Sequence, residues 1–177
     1  MRGPLLSGAI GSRVVLQQVV TLLGKRTPVV VLSTVWLAEV LAEALPVTLL
    51  VEPDGLRSAV RAVKRAEKAG HRLVAAMAGE ELPLLPASVD AIVVDALTDM
   101  GDDDARSFLG AIVAALRPGG ILVSVDATRE RAIEARLSRR FVAACLQDIG
   151  QERPRDGVVL TVGAAPPHAV LAAWNRP

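Results

Sequence analysis

Few side chains in this 177-residue chain are equipped for chemistry, and most of those that stand out are carboxylates. Asp95 ends the apolar run in "VDAIVVDAL". Strand ends of this kind line the ligand crevice in open α/β sheets. A carboxylate there can take a proton from a hydroxyl or amine nucleophile, or it can simply terminate the strand. Glu52 closes "VTLLVE", nineteen residues after Ser33. The acidic run "DMGDDD", Asp99 to Asp104, offers oxygens to a divalent cation. Its last acids also stand where a helix begins, and they suit the positive end of that helix. A solvated loop is the expectation, and no metal site is assigned. Cys145 is the sole cysteine, which excludes an internal disulfide and a cysteine metal cage. It lies in "FVAACLQDI", an apolar, strand-like run, and is expected to be a buried thiol. The histidines, His71 and His168, have no carboxylates at zinc-ligand spacing.

Composition narrows the partners. Hydrophobic residues make up 51% of the chain and charged residues 22%, with mean hydropathy +0.41. The apolarity implies either a parallel sheet buried on both faces or an exposed patch for a partner. A homodimer or a complex with another protein is therefore expected. The uncharged run from Thr27 to Ala38 is shorter than the roughly 20 residues that span a bilayer, so no membrane association is expected. "MRGPLLSGAI" makes a poor signal peptide, which points to a cytoplasmic protein. A net charge of +1 and 2% aromatics argue against a nucleic-acid surface. One basic stripe stands out: Arg57, Arg61, Lys64, Arg65 and Lys68 recur at helical spacing. It reads as the solvated face of an amphipathic helix, or as a docking surface for an acidic partner. Arg136, Arg139 and Arg140 extend it if the two clusters are neighbours.

The elements that must position these residues alternate regularly. Ser12 can cap a helix over "RVVLQQVVTLL", with Val15, Leu16, Val19, Leu22 and Leu23 on one face and Gly24 as its stop. Strands follow at "PVVVLS", "VTLLVE", "RLVAAMA", "VDAIVVDAL" and "GILVSVDA". Helices fall between them at "LAEVLAEAL", at "LRSAVRAVKRAEKAG" and at "DDARSFLGAIVAAL", where Phe108, Leu109, Ile112, Val113 and Leu116 face inward. A further helix, "TRERAIEARLS", begins at Thr128. "FVAACLQDI" and "VVLTVGA" read as a closing strand pair around a polar turn, "GQERPRDG". The pattern predicts a single α/β domain over residues 1–177, with the N-terminal helix of residues 1–26 packed on it. It is doubly wound: a mostly parallel seven-stranded sheet, helices on both faces, and an antiparallel last strand.

The second half of this pattern resembles a known family. "LPLLPASVDAIVVDAL" followed by "LRPGGILVSVD" is similar to the corresponding part of class I S-adenosylmethionine-dependent methyltransferases, which have a Rossmann-like fold. Leu82–Pro83, Ser88 to Asp90 and Leu116 to Gly120 carry the likeness, which covers roughly Pro28 to Ala165. The resemblance implies that Glu52 holds the ribose hydroxyls of the cofactor, since a carboxylate accepts two hydrogen bonds from a vicinal diol. An ordinary strand-end carboxylate before Pro53 is the competing reading. It implies a glycine-rich loop near Val31, Ser33 and Val35, yet no glycine occurs between Gly24 and Gly55. Val35 and Trp36 fill that place with bulk, where glycine would let the backbone approach a ligand. The acid expected near Ala78 is missing too, so Glu80 or Glu81 would have to reach back.

The leading expectation is thus a degenerate methyltransferase-like domain, a pseudoenzyme serving protein interaction or assembly. Its vestigial cofactor positions are Ser33, Thr34, Glu52, Ala78 and Gly79, and no cofactor is expected. The alternative is an active enzyme that methylates a small molecule or protein with S-adenosylmethionine, using Glu52 for ribose and Asp95 near the acceptor. A nucleic-acid module built on the basic helix ranks last. The closed-loop reading further expects the Trp36 indole to be mostly buried.

Overall fold

The computed structural model describes residues 13–32, 34–78, 82–95, 97–155 and 157–167. The expectations for Ser12, Ser33, Gly79, Glu80, Glu81 and His168 lie outside them. The elements in chain order are α1 (Arg13–Leu23), β1 (Val29–Leu32), α2 (Val35–Ala42), β2 (Val47–Val51), α3 (Leu56–Lys68), β3 (Leu73–Met77) and β4 (Val89–Asp95). They continue with α4 (Asp102–Ala115), β5 (Leu116–Ala127), α5 (Arg131–Ala143), β6 (Gln147–Arg155) and β7 (Val158–Ala164). The strands form one seven-stranded sheet in the order β3-β2-β1-β4-β5-β7-β6. Neighbouring strands run parallel from β3 to β5, and β7 is antiparallel to both β5 and β6. This is the expected doubly wound sheet.

Alternation along the strands builds two cores. Val29, Val31, Leu49, Ala91, Val93 and Val123 face α1, α2 and α3. Val30, Leu50, Ile92, Val94 and Leu122 face α4 and α5. Much of the chain's apolarity is spent here, in strands buried on both faces. In α1, Val15, Leu16, Val19 and Leu23 are buried. Gly24 ends the helix at φ +59, its N–H donating to the Val20 carbonyl at 3.0 Å. In α3 the buried residues are Ala59, Ala62 and Ala66, small enough for the helix to lie close on the sheet. No helix among the described residues is long and apolar enough to cross a membrane.

In the second half of the chain, three boundaries differ from the sequence reading. β5 begins at Leu116, four residues before the expected start at Gly120. Leu116 pairs with Val89 and Ile121 with Ala91, so "RPGG" bulges out of the ladder. Pro118 disfavours helix at the residue before it, and Gly119 takes φ +72. The last helix is shifted as well. α5 starts at Arg131 rather than Thr128, and it absorbs Phe141 to Ala143 from the expected strand. Leu137 and Phe141, one turn apart, are both fully buried, and that contact holds the helix on course. Thr128 still serves the approach to the helix, its Oγ1 accepting from the Glu130 N–H at 3.1 Å. β6 then runs through the polar "GQERPR", which had read as a turn. Among the described strands it pairs only with β7, at the edge of the sheet, so polar residues and Pro154 are tolerated in it. Cys145 consequently lies in the turn between α5 and β6 at φ +60, half-buried instead of buried in a strand.

Candidate functional site at the carboxyl edge of the sheet

Strand order places the candidate residues in a row along one edge: Ala78, Glu52 and Thr34 follow the ends of β3, β2 and β1, Asp95 is the last residue of β4 and Asp126 the last but one of β5. The chain leaves β1 toward β2 on one side, and β4 lies on the other. The switch point of the sheet therefore falls between β1 and β4, where ligands bind in open α/β folds.

The β1 side of this point is short and apolar. Thr34 is the exposed N-cap of α2, with extended backbone (φ −64, ψ 141) and no side-chain cap bond. Its carbonyl accepts from Leu37 N at 3.1 Å and Ala38 N at 3.4 Å. α2 begins at Val35, two residues before the helix read from the sequence. Leu37, Ala38, Leu41 and Ala42 are buried in it. Val35 and Trp36 pack against the α1–α2–α3 core. The Trp36 indole is half-buried, less than expected. Glu52 is exposed just beyond β2, where it caps a short 3-10 turn at Pro53–Gly55. Ala78 is half-buried beside it, its N–H bonding to the Val51 carbonyl at 2.8 Å.

The β4 and β5 ends are polar and tightly held. Asp95 is buried as the last residue of β4, in register with Val125. Asp126, which the sequence reading did not single out, is fully buried. It accepts from the Thr98 N–H at 2.9 Å and from the Ser124 hydroxyl. Burial pushes its carboxyl above the usual aspartate range, the charge of Asp95 adds to this, and the bonds from Ser124 and Thr98 oppose it. The signal was present as Ser-x-Asp at the end of the fifth strand, since i and i+2 share a face.

Two arginines pin the segment between them. Arg140 is buried and donates to the carbonyls of Leu97 and, at 2.8 Å, Met100. It also pairs with Asp102 at 2.6 Å. Arg136 Nη2 donates to the Thr98 carbonyl at 2.7 Å. The hydrogen bond from Arg140 holds the Asp102 carboxyl below its usual range. Asp102, Asp103 and Asp104 are exposed in the first turn of α4, as expected for a solvated helix start. Among the described residues no group of three or more potential ligands is placed to hold a metal. The basic clusters are not neighbours: α3 covers one face of the sheet and α5 the other. Arg140, moreover, is spent inside the fold.

No family model matches the chain. No curated protein matches it either. Solved structures do. The apo form of the S-adenosylmethionine-dependent methyltransferase SibL superimposes with TM-score 0.70 at 18% identity, over 90% of this chain and 55% of that one. The pyocyanin biosynthetic protein PhzM gives 0.70 at 14% identity, over 91% and 57%. Human N-acetylserotonin methyltransferase in complex with S-adenosylmethionine gives 0.67 at 13%, over 92% and 59%. The chain has the fold of class I S-adenosylmethionine-dependent methyltransferases. It spans somewhat more than half the length of these similar proteins.

Proposed function

We propose that this chain is a methyltransferase-fold domain that does not catalyse methyl transfer and serves as a protein-interaction or assembly module, as a homodimer or with another protein. The observation that carries the reading is the β1–α2 joint. The helix starts at Val35, without a glycine, and its first residues pack Val35 and Trp36 on the core. A backbone that must approach a cofactor closely needs positions free of Cβ, and a β-branched residue at the first helical position denies that. Ala78 adds to this, because its methyl accepts no hydrogen bond from an adenine amine. The residues at this joint fit the cofactor of the similar enzymes poorly.

A second reading, an active methyltransferase for a small molecule or protein, is favoured by Glu52 and Asp95. Glu52 stands exposed at the end of β2, where it can accept from two ribose hydroxyls. Asp95 stands at the switch point, where it can take the proton of a hydroxyl or amine acceptor. S-adenosylmethionine would supply the methyl group.

Thermal melting with S-adenosylmethionine separates the two. A ligand that binds only the native state adds about 2.7 kcal/mol at a hundredfold excess over its Kd. For a domain of this length that raises Tm by roughly 5–10 °C. The expected shift is zero. A shift of several degrees that Glu52→Ala abolishes would establish the second reading.

A further inference from the structure

We infer that the open edge of β3 is a docking site for an extended acidic segment of another protein, added to the sheet as an eighth strand. This rests on the interaction-module reading and names its surface and partner.

β3 ends the sheet, and no described strand pairs its outer side. The register Leu73↔Val47 to Met77↔Val51 fixes which groups face out. The Arg72 carbonyl accepts from Val47 N at 2.9 Å and Ala78 N donates to the Val51 carbonyl at 2.8 Å. In a parallel ladder such residues alternate, so Arg72, Val74, Ala76 and Ala78 turn their backbone groups to β2. Leu73, Ala75 and Met77 turn theirs outward, a row of donors and acceptors that an added strand would satisfy.

Natural edges are usually blunted by a charge, a proline, a bulge or a cover. "LVAAM" contains no charge and no proline, and its ladder to β2 is regular. It is also fringed with apolar side chains. Val74 is 62% exposed and Met77 54%. α3 lies over β3, and Arg65 on its inner flank pairs with Glu39 of α2 at 2.7 Å. Leu56 and Val60 occupy the opposite flank, which overhangs the edge, and both are exposed.

Charge selects the occupant. Arg57 and Lys64, three residues before and four after Val60, are exposed on the outer side of α3, and Arg72 is exposed at the entrance of β3. Glu67 is the only carboxylate on the helix. A second copy of this chain would bring the same cations to the same edge, which repel. An extended segment alternating acidic and β-branched residues meets the cations on the α3 face with one set and the exposed Val74, on the opposite face, with the other.

The test is a random-peptide display selection on the purified chain, with each selected peptide then synthesised and titrated. Acidic, alternating peptides are expected to emerge. Ala75→Pro removes an outward N–H and leaves the β2 ladder intact. It should abolish their binding while the melting temperature holds. Val74→Glu, at an exposed position, tests the same edge without a backbone change and should weaken binding about tenfold or more, as should the Arg57→Glu, Lys64→Glu pair. No enriched peptide, or peptides that bind both edge variants as well as the wild type, overturns the inference. So does a dimer in light scattering that Ala75→Pro converts to monomer, which assigns the edge to a second copy. Duplex DNA binding lost only with the charge reversals likewise overturns it. Peptide binding that survives alongside a cofactor-induced melting shift would remove the non-catalytic reading and leave the edge assignment standing.

Discussion

The two halves of the sheet, β1 to β3 and β4 to β5, solve the same topology with different materials. The first half is joined by aliphatic and alanine contacts: Leu37, Leu41, Ala59 and Ala62 are buried against Val31, Leu49 and Val51. Its ion pair between Arg65 and Glu39 lies on the surface. The second half carries its polar groups inside. Asp126, Ser124 and Arg140 are buried and bonded to one another or to the backbone near Leu97. It also keeps a glycine where the backbone crowds. A Cβ on Gly120 would stand 2.8 Å from the Arg117 carbonyl oxygen and 3.1 Å from that of Asp90. The difference teaches what each feature serves. Gly120 and the arginine clamp are needed by the chain itself, whatever it binds. Glycines after β1 would serve a ligand, and the strand–helix joint closes well without them.

The comparison breaks most visibly at Arg140. Arg140→Met strips the carbonyls of Leu97 and Met100 of their charged donor, at a cost of about 2–4 kcal/mol. A fall in Tm of roughly 5–15 °C in a thermal scan is expected. An unchanged Tm would mean that the buried polar network is not what steadies the second half.

Asp126→Asn tests the same half through pH. Burial raises the folded-state value of this carboxyl above the ordinary 3.8. The native state therefore binds the proton more tightly than the unfolded chain does. The stability this group contributes is complete below about 3.8 and is lost as pH rises through the higher folded value. The variant stays neutral throughout. Its Tm should rise relative to wild type from pH 3.8 upward and then level off. A gap that widens instead toward acid would show that the carboxylate form is the favoured one.

The smallest effect belongs to the first half. Glu39 hydrogen-bonds Arg65 and raises its guanidinium above the ordinary value, but the pair is exposed and screened by solvent. Arg65→Gln should leave Tm unchanged within the error of a scan at physiological salt. A loss comparable to that of Arg140→Met would erase the contrast between the halves.

Sequence by itself determined the class of fold. Apolar strands of four to twelve residues alternate with helices whose buried positions recur at 3–4 residue spacing, and such a chain closes only as a sheet covered on both faces. It also determined the glycine-free first joint and the place of Glu52 and Asp95 at strand ends, because these are local facts. Tertiary structure decided what local pattern leaves open. "FVAACLQDI" is apolar at both helical and strand spacing, and only the buried contact of Phe141 beside Leu137 resolves it as helix followed by turn. The polar β6 has no hydrophobic signal of its own and exists because β7 offers it a ladder. Arg140 reads as one more surface cation in a basic cluster. It is buried because carbonyls some forty residues earlier in the chain, at Leu97 and Met100, come within hydrogen-bond reach. Bonds between residues so far apart in sequence form only when the fold brings the segments together, and no local pattern announces them.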